Sequence, residues 1–268
     1  RKMEMYVAGE ELFALRGTKF PELSRTRKEV GLFDQLYGLY LEVQQSMDSY
    51  RGVHWSDNIA ARLVAMMEET AAYDLRCKRL PKKLRDWKAY TEMRNKLSDL
   101  QELLPLMADL AKPSIKPRHW RELCDDKILG MQLPFDKESF QLRHLFESGL
   151  LKHKDQAEEL CQGADKQLGI ETKLNDLKES WAKAEFTFQK WKERDVPILS
   201  AFGGVIDDLE EAQLNLQSLL SIRHVNPFRE AVSSLLTTLS DTADTLELWI
   251  KVQLMWTSLE SVFLSGDI

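Results

Sequence analysis

Three stretches of this 268-residue chain carry side chains of the kind that do chemistry. Asp207, Asp208, Glu210 and Glu211 could serve as a general acid and base if two of them were held apart in different environments. They follow Gly203 and Gly204, in what read as the first turns of a helix, where carboxylates meet the positive end of the helix dipole. That structural reading is the preferred one. His119 and Cys124 are metal-ligand types, but they stand five apart on an expected helix and do not share a face well. A zinc site needs four ligands at set spacings, so the pair is not taken as a metal site. The third stretch, RCKRLPKKLR at 76–85, holds six bases in ten residues.

Such a run could hold phosphate or an acidic partner surface. Glu68, Glu69, Asp74 and Asp86 lie close enough in sequence to balance it, and no aromatic interrupts it for stacking on bases. A solvated junction between helices is the preferred reading. Met66, Met67 and Met93 sit on helical stripes and read as core filling. GxxxxGK[ST], GxSxG, HExxH and GxGxxG are all absent, and the histidines at 54, 119, 144, 153 and 224 are scattered. No catalytic, cofactor-binding or metal-ligating residue is therefore assigned, no cofactor is expected, and the segment is not read as an enzyme.

The elements behind these residues are helices. Twelve Gly and eight Pro are few for this length, which argues against barrels, sandwiches and Gly-rich nucleotide folds. The net charge of −6 disfavours sequence-independent nucleic-acid binding. Cys77, Cys124 and Cys161 are odd in number and widely spaced without CxxC, as in reduced thiols of a cytosolic protein. No apolar run approaches the roughly 18–20 residues that span a bilayer, and no secretory leader is visible, so no membrane is expected as a partner. Arg1 in first place and an abrupt apolar end point to a piece of a longer polypeptide.

The predicted fold is all-α, an elongated multi-helix bundle with one small β-hairpin near 186–201. Phe33, Leu36, Tyr40, Val43, Met47 and Tyr50 form one apolar stripe. Leu63, Met66, Thr70 and Tyr73 form a second, and Trp87, Tyr90, Met93, Leu97, Leu100 and Leu104 a third, with Pro105 expected to end or kink that helix. A short helix is predicted after Pro117 and one long polar helix over about 150–184. Phe186, Phe188 and Lys190 alternate, then a charged turn leads to an edge strand at Pro197. Ile206, Leu209, Leu216, Leu219 and Leu220 give the next stripe, and Phe228, Val232, Leu235 and Leu239 another. The last helix carries two: Leu246, Trp249, Val252, Trp256, Leu259 and Phe263, and beside it Leu248, Met255 and Val262. Two stripes imply contact on two sides. The expected domains are a first helical group over 1–112, then a connector, long helix and hairpin over 113–204, and a second helical group over 205–268. Rigid groups are expected at 30–104 and 205–268, with the Pro- and Gly-bearing stretch 105–138 as a junction.

Four stretches carry a resemblance. LPKKLRDWKAYTEMRNKLSDLQELLPLMADLA (80–111), KPRHWREL (116–123), SIRHVNPFREAV (221–232) and WIKVQLMWTSLESVFLSGDI (249–268) resemble the linker region of dynein heavy chains, in that family's order and at about its spacing. RKMEMYVAGEELF and PELSRTRKEVGLFDQLYGLY look more like axonemal heavy chains, of outer-arm type. Ser258 stands where the family usually has an aromatic, and the turn Lys-Glu-Arg-Asp with its Ala-Phe-Gly-Gly exit replaces a Gly-rich turn. The resemblance implies the end of the tail and the N-terminal half of a linker, a mechanical lever that bends and straightens as a ring of AAA+ modules turns over ATP. Its implied partners are that ring in the same heavy chain, the remainder of linker and tail, and other dynein subunits through the tail, with no nucleic acid and no membrane. The implied location is cytoplasmic and cytoskeletal, in the axoneme of a cilium or flagellum. A passive helical scaffold or tether without a conformational cycle is the rival reading.

Overall fold

Pro21, with φ already set for a helix and no N–H to waste, opens α2, Pro21–Arg51. It follows α1, Lys2–Leu12, which buries nothing. The computed structural model describes residues 2–17, 19–56, 58–192 and 195–264, without the side chains of Ser261, Phe263 and Leu264. It divides into two compact units, Arg1–Glu158 and Glu159–Ile268.

In the first unit, α2 packs with α3, Ile59–Arg79, and α4, Lys88–Leu110, the latter two linked through a 3₁₀ turn at Lys82–Leu84. Leu36, Leu39 and Val43 of α2 share a core with Cys77 of α3, Leu84 of the turn, and Met93 and Leu97 of α4. The first and third predicted stripes supply most of this seam, and Leu39, Cys77 and Leu84 join it from outside them. Phe33 is partly exposed and lies against the Trp87 ring at 4.1 Å between centroids. Asp74 and Cys77 extend the buried face of α3 beyond Tyr73.

Of the two outcomes expected at Pro105, an end or a kink, the first does not occur: α4 runs on to Leu110. Pro105 removes one N–H bond to the carbonyl four residues back, a loss of about 3 kcal/mol. Leu103, Leu104, Leu106, Met107 and Leu110 are all buried. At about 1.5–3 kcal/mol per buried side chain, they outweigh the break.

Part of the expected junction, 105–138, is core as well: Trp120, Leu123, Cys124 and Leu133 are buried. Pro117 starts α5, Pro117–Cys124, and the Lys116 backbone N–H donates to His119 Nδ1 at 2.9 Å, closing the first turn. Residues 53–55 and 140–142 run antiparallel, Trp55 N–H donating to the Phe140 carbonyl and Leu142 N–H to that of Val53. This brings Trp55 and Phe140 onto Trp120, with ring centroids 5.3–5.5 Å apart. Gly130 (φ +61°) turns the chain between them. α6, Leu142–Glu147, repeats the histidine cap, Gln141 N–H donating to His144 Nδ1. Stretch 105–138 therefore lies inside the first unit. Hydrogen exchange is expected to find the amides of Leu123 and Cys124 protected about as well as those of α3, since buried, bonded backbone opens only with its unit. Free exchange there would restore the junction.

A 3₁₀ turn at Leu150–His153 leads into α7, Lys154–Ala182, and the division between units falls within it. The second unit continues with the hairpin β1, Thr187–Lys190, and β2, Pro197–Ser200, paired Phe188 with Leu199 and Lys190 with Pro197. α8 is Phe202–Ser221, and α9 is one helix over Arg229–Leu264. Leu209, Ala212, Leu216 and Leu219 of α8 pack with Val232, Leu239, Leu246 and Ile250 of α9, joined by Ile170 and Leu174 of α7. All three cysteines are buried and unbridged. No described helix is long and apolar enough to cross a membrane.

Candidate interaction surface

The last third of α9 buries an unexpected side. Of the predicted seam, Leu246 is buried, while Trp249, Val252, Trp256 and Leu259 are largely open; Phe263 lies outside the residues whose side chains are described. The covered line is Leu246, Ile250, Gln253 and Glu260. Gln253 reaches β2 with both ends of its amide: Leu199 N–H donates to Oε1 at 2.7 Å, and Nε2 donates to the Leu199 carbonyl at 3.0 Å. A side chain thus takes the place of a third strand on an edge that would otherwise be bare. Pro197, two residues earlier on the same side of β2, turns its missing N–H to that edge as well. Glu260, only 6% exposed, accepts from Trp191 Nε1 at 2.6 Å and from Lys192 Nζ at 2.9 Å. The burial of its charge is offset by a cation and a second donor. Phe188 completes the dock against Trp249, centroids 5.9 Å apart.

With the hairpin on that side, α9 presents Leu248, Val252, Met255, Leu259 and Val262 outward, 44–65% exposed, at helical spacings of 4, 3, 4 and 3. The residues expected to form a second seam, Leu248, Met255 and Val262, lie within this exposed face. Such a face is a candidate interaction surface by its composition. A cavity of about 740 Å³ opens elsewhere on the unit, floored by Trp181, Val205, Leu235 and Leu239. Asp208 and Glu211 line it. They lie past the first turn of α8, so the dipole account of these carboxylates does not hold.

In the first unit the polar groups are bound up with one another. Glu69 accepts from Tyr50 Oη at 2.5 Å, Tyr73 Oη at 3.0 Å and Ser46 Oγ at 3.0 Å. The Tyr50 hydrogen bond above all holds the Glu69 carboxyl below its usual range, while burial and the same carboxylate push the Tyr50 phenol up. Arg76 donates to Glu42 at 2.6 Å and lowers its carboxyl likewise. Asp74 takes Lys78 and Arg94, so the basic run is partly balanced, by Asp74 as read and by Glu42 as not foreseen. Arg79, Lys82 and Lys83 have no ion-pair partner among the described residues. A carboxyl lowered by folding adds stability that is whole above its unfolded value near 4.5 and fades as pH falls through the folded value. Thermal melts of Glu69→Gln should therefore approach those of the parent below about pH 4 and fall short of them at pH 7. A constant gap at every pH would refute the linkage. Among the described residues no three His, Cys, Asp or Glu side chains gather as a metal site would need.

A family model described as dynein heavy chain, N-terminal region 2, matches residues 23–268. The chain belongs to the dynein heavy chain family. Over its full length it is 38% identical to the dynein gamma chain of the flagellar outer arm of Chlamydomonas reinhardtii and 35% identical to human dynein axonemal heavy chain 8. It is 34% identical to dynein axonemal heavy chain 5 of Rattus norvegicus. A heavy chain of the flagellar inner arm I1 complex of C. reinhardtii stands at 28%. This dynein segment is thus axonemal, of a cilium or flagellum. It spans 6–8% of the lengths of these proteins. No distant contact of this dynein segment, such as Glu260 with Trp191 or Glu69 with Tyr50, has a short motif that would have announced it.

Proposed function

We propose that this segment is part of the linker of an axonemal dynein heavy chain, a lever that couples ATP-driven rearrangement of an AAA+ ring in the same chain to movement of the tail along microtubules. The rest of the linker and tail, and through the tail other dynein subunits, would be its further partners. The observation that supports the reading most is how each unit is built. Helices of 20–36 residues, α2 to α4 in one and α8 with α9 in the other, are joined lengthwise by buried seams. At 1.5 Å per residue, α9 alone is about 54 Å long. A lever needs stiffness within its parts and a face that can change partners. The seams supply the first, and the open face of α9 is the candidate for the second.

The test is made in the full heavy chain. Met93→Ala with Leu97→Ala loosens the α3–α4 seam without touching the ring. A lever then loses microtubule gliding velocity by about half or more while ATP turnover is kept, because work is spent in bending. A passive tether keeps both. Equal velocity and turnover in a variant shown to be folded would sink the lever.

A further inference from the structure

We propose that the groove between α8, α9 and the end of α7 is a docking site for a basic amphipathic helix of a partner protein. The groove is continuous along α9. The larger cavity takes in Leu235, Thr238, Leu239 and Thr242, and a second one of about 350 Å³ carries on through Thr245 and Leu246 to Trp249. The two share Phe186, Thr238 and Thr242, so Phe186 stands as a post between them. From Leu235 to Trp249 the floor runs about 21 Å, the length of a four-turn helix. Its apolar rings and aliphatic groups match the anchors that an amphipathic helix presents at i, i+3, i+4 and i+7.

Charge decides which helix. Glu185, Asp208 and Glu211 line the larger cavity against a single Lys178, and Asp241 lines the second. None of these four carboxylates has an ion-pair partner among the described residues. The unit around them is acidic too, with eighteen Asp and Glu against ten Lys and Arg, whereas the first unit has 25 against 27. A partner with Lys and Arg flanking its apolar anchors gains attraction and faster encounter, and an acidic one is repelled. This site is separate from the open face of α9 at Leu248, Met255 and Val262, and the inference does not depend on the lever reading.

The probe is a labelled helical peptide of about 15 residues, with Leu at helical spacing and Lys elsewhere, titrated into the 268-residue chain at physiological salt. Saturable one-to-one binding is expected, with slower hydrogen exchange in the 183–186 segment. Asp208→Lys with Glu211→Lys should weaken it about tenfold or more, and Phe186→Ala about fivefold. These side chains are all exposed, so melting temperature verifies that each variant folds. Met255→Lys, on the other face of α9, should change nothing. Absence of saturation would overturn the proposal. So would equal binding of a scrambled peptide of the same composition, or a loss with Met255→Lys as large as with the groove variants.

Discussion

Leu97→Ala is expected to destabilise the first unit by about 3 kcal/mol, within the 2–5 kcal/mol typical of buried Leu truncations. Leu97 is 1% exposed and sits in the core that α2, α3 and α4 share. Truncation removes three carbons of transfer free energy and leaves a hole that three helices cannot all close at once. At about 2–4 °C per kcal/mol for a unit of this size, the melting temperature should drop by about 6–12 °C. Leu41→Ala is the control: it lies on the same helix as the α2 seam but is 57% exposed, so a shift of less than about 0.5 kcal/mol is expected. Equal losses from the two would mean that burial along the stripe does not set the stability of this unit.

Gln253→Leu should release the hairpin. The substitution keeps nearly the same volume but leaves the Leu199 N–H and carbonyl without the amide that satisfies both. Leu199 is buried, so each orphaned group costs about 1–3 kcal/mol. A two-stranded hairpin has almost no stability of its own, so a penalty of that size moves it off α9 rather than being absorbed. Hydrogen exchange at Ile198 and Leu199 should rise by about tenfold or more, while the α8–α9 seam around Leu216 keeps its protection. Gln253→Glu should fall between, since a carboxylate can accept from the N–H but repels the carbonyl. Unchanged exchange in Gln253→Leu would show that water reaches β2 and that the amide is dispensable.

Helical seams were readable because burial recurs at the helix period. Leu36, Val43, Met93, Leu97, Leu209 and Leu216 could be placed from spacing alone. The hairpin was readable too, from the switch to alternation at Phe186 and Phe188. That α4 would run on past Pro105 was not readable, because propensity is local, while the burial of Leu104, Leu106 and Met107 that overrides it depends on the whole unit. α9 misled for a related reason. Its apolar residues mark two stripes, and the side that became covered is set by Gln253 and Glu260, polar residues that score against burial in any periodicity count. Their partners Leu199, Trp191 and Lys192 lie 54–69 residues away. The same distance hid the meeting of Trp55, Trp120 and Phe140, whose spacing has no period. Of the carboxylates lining the groove, Asp208 and Glu211 were singled out but Glu185 and Asp241 were not, because the walls come from three separate helices.

The burial of all three thiols has a practical consequence for watching this segment move. Cys77 is fully enclosed, and burial first of all pushes its thiol up, so the reactive thiolate is scarce there. The native segment should resist maleimide dyes at neutral pH. A cysteine introduced at an exposed position such as Leu41 or Leu248 then becomes the sole attachment point, and distances to a second fluorophore can be followed without first stripping out natural sulfur.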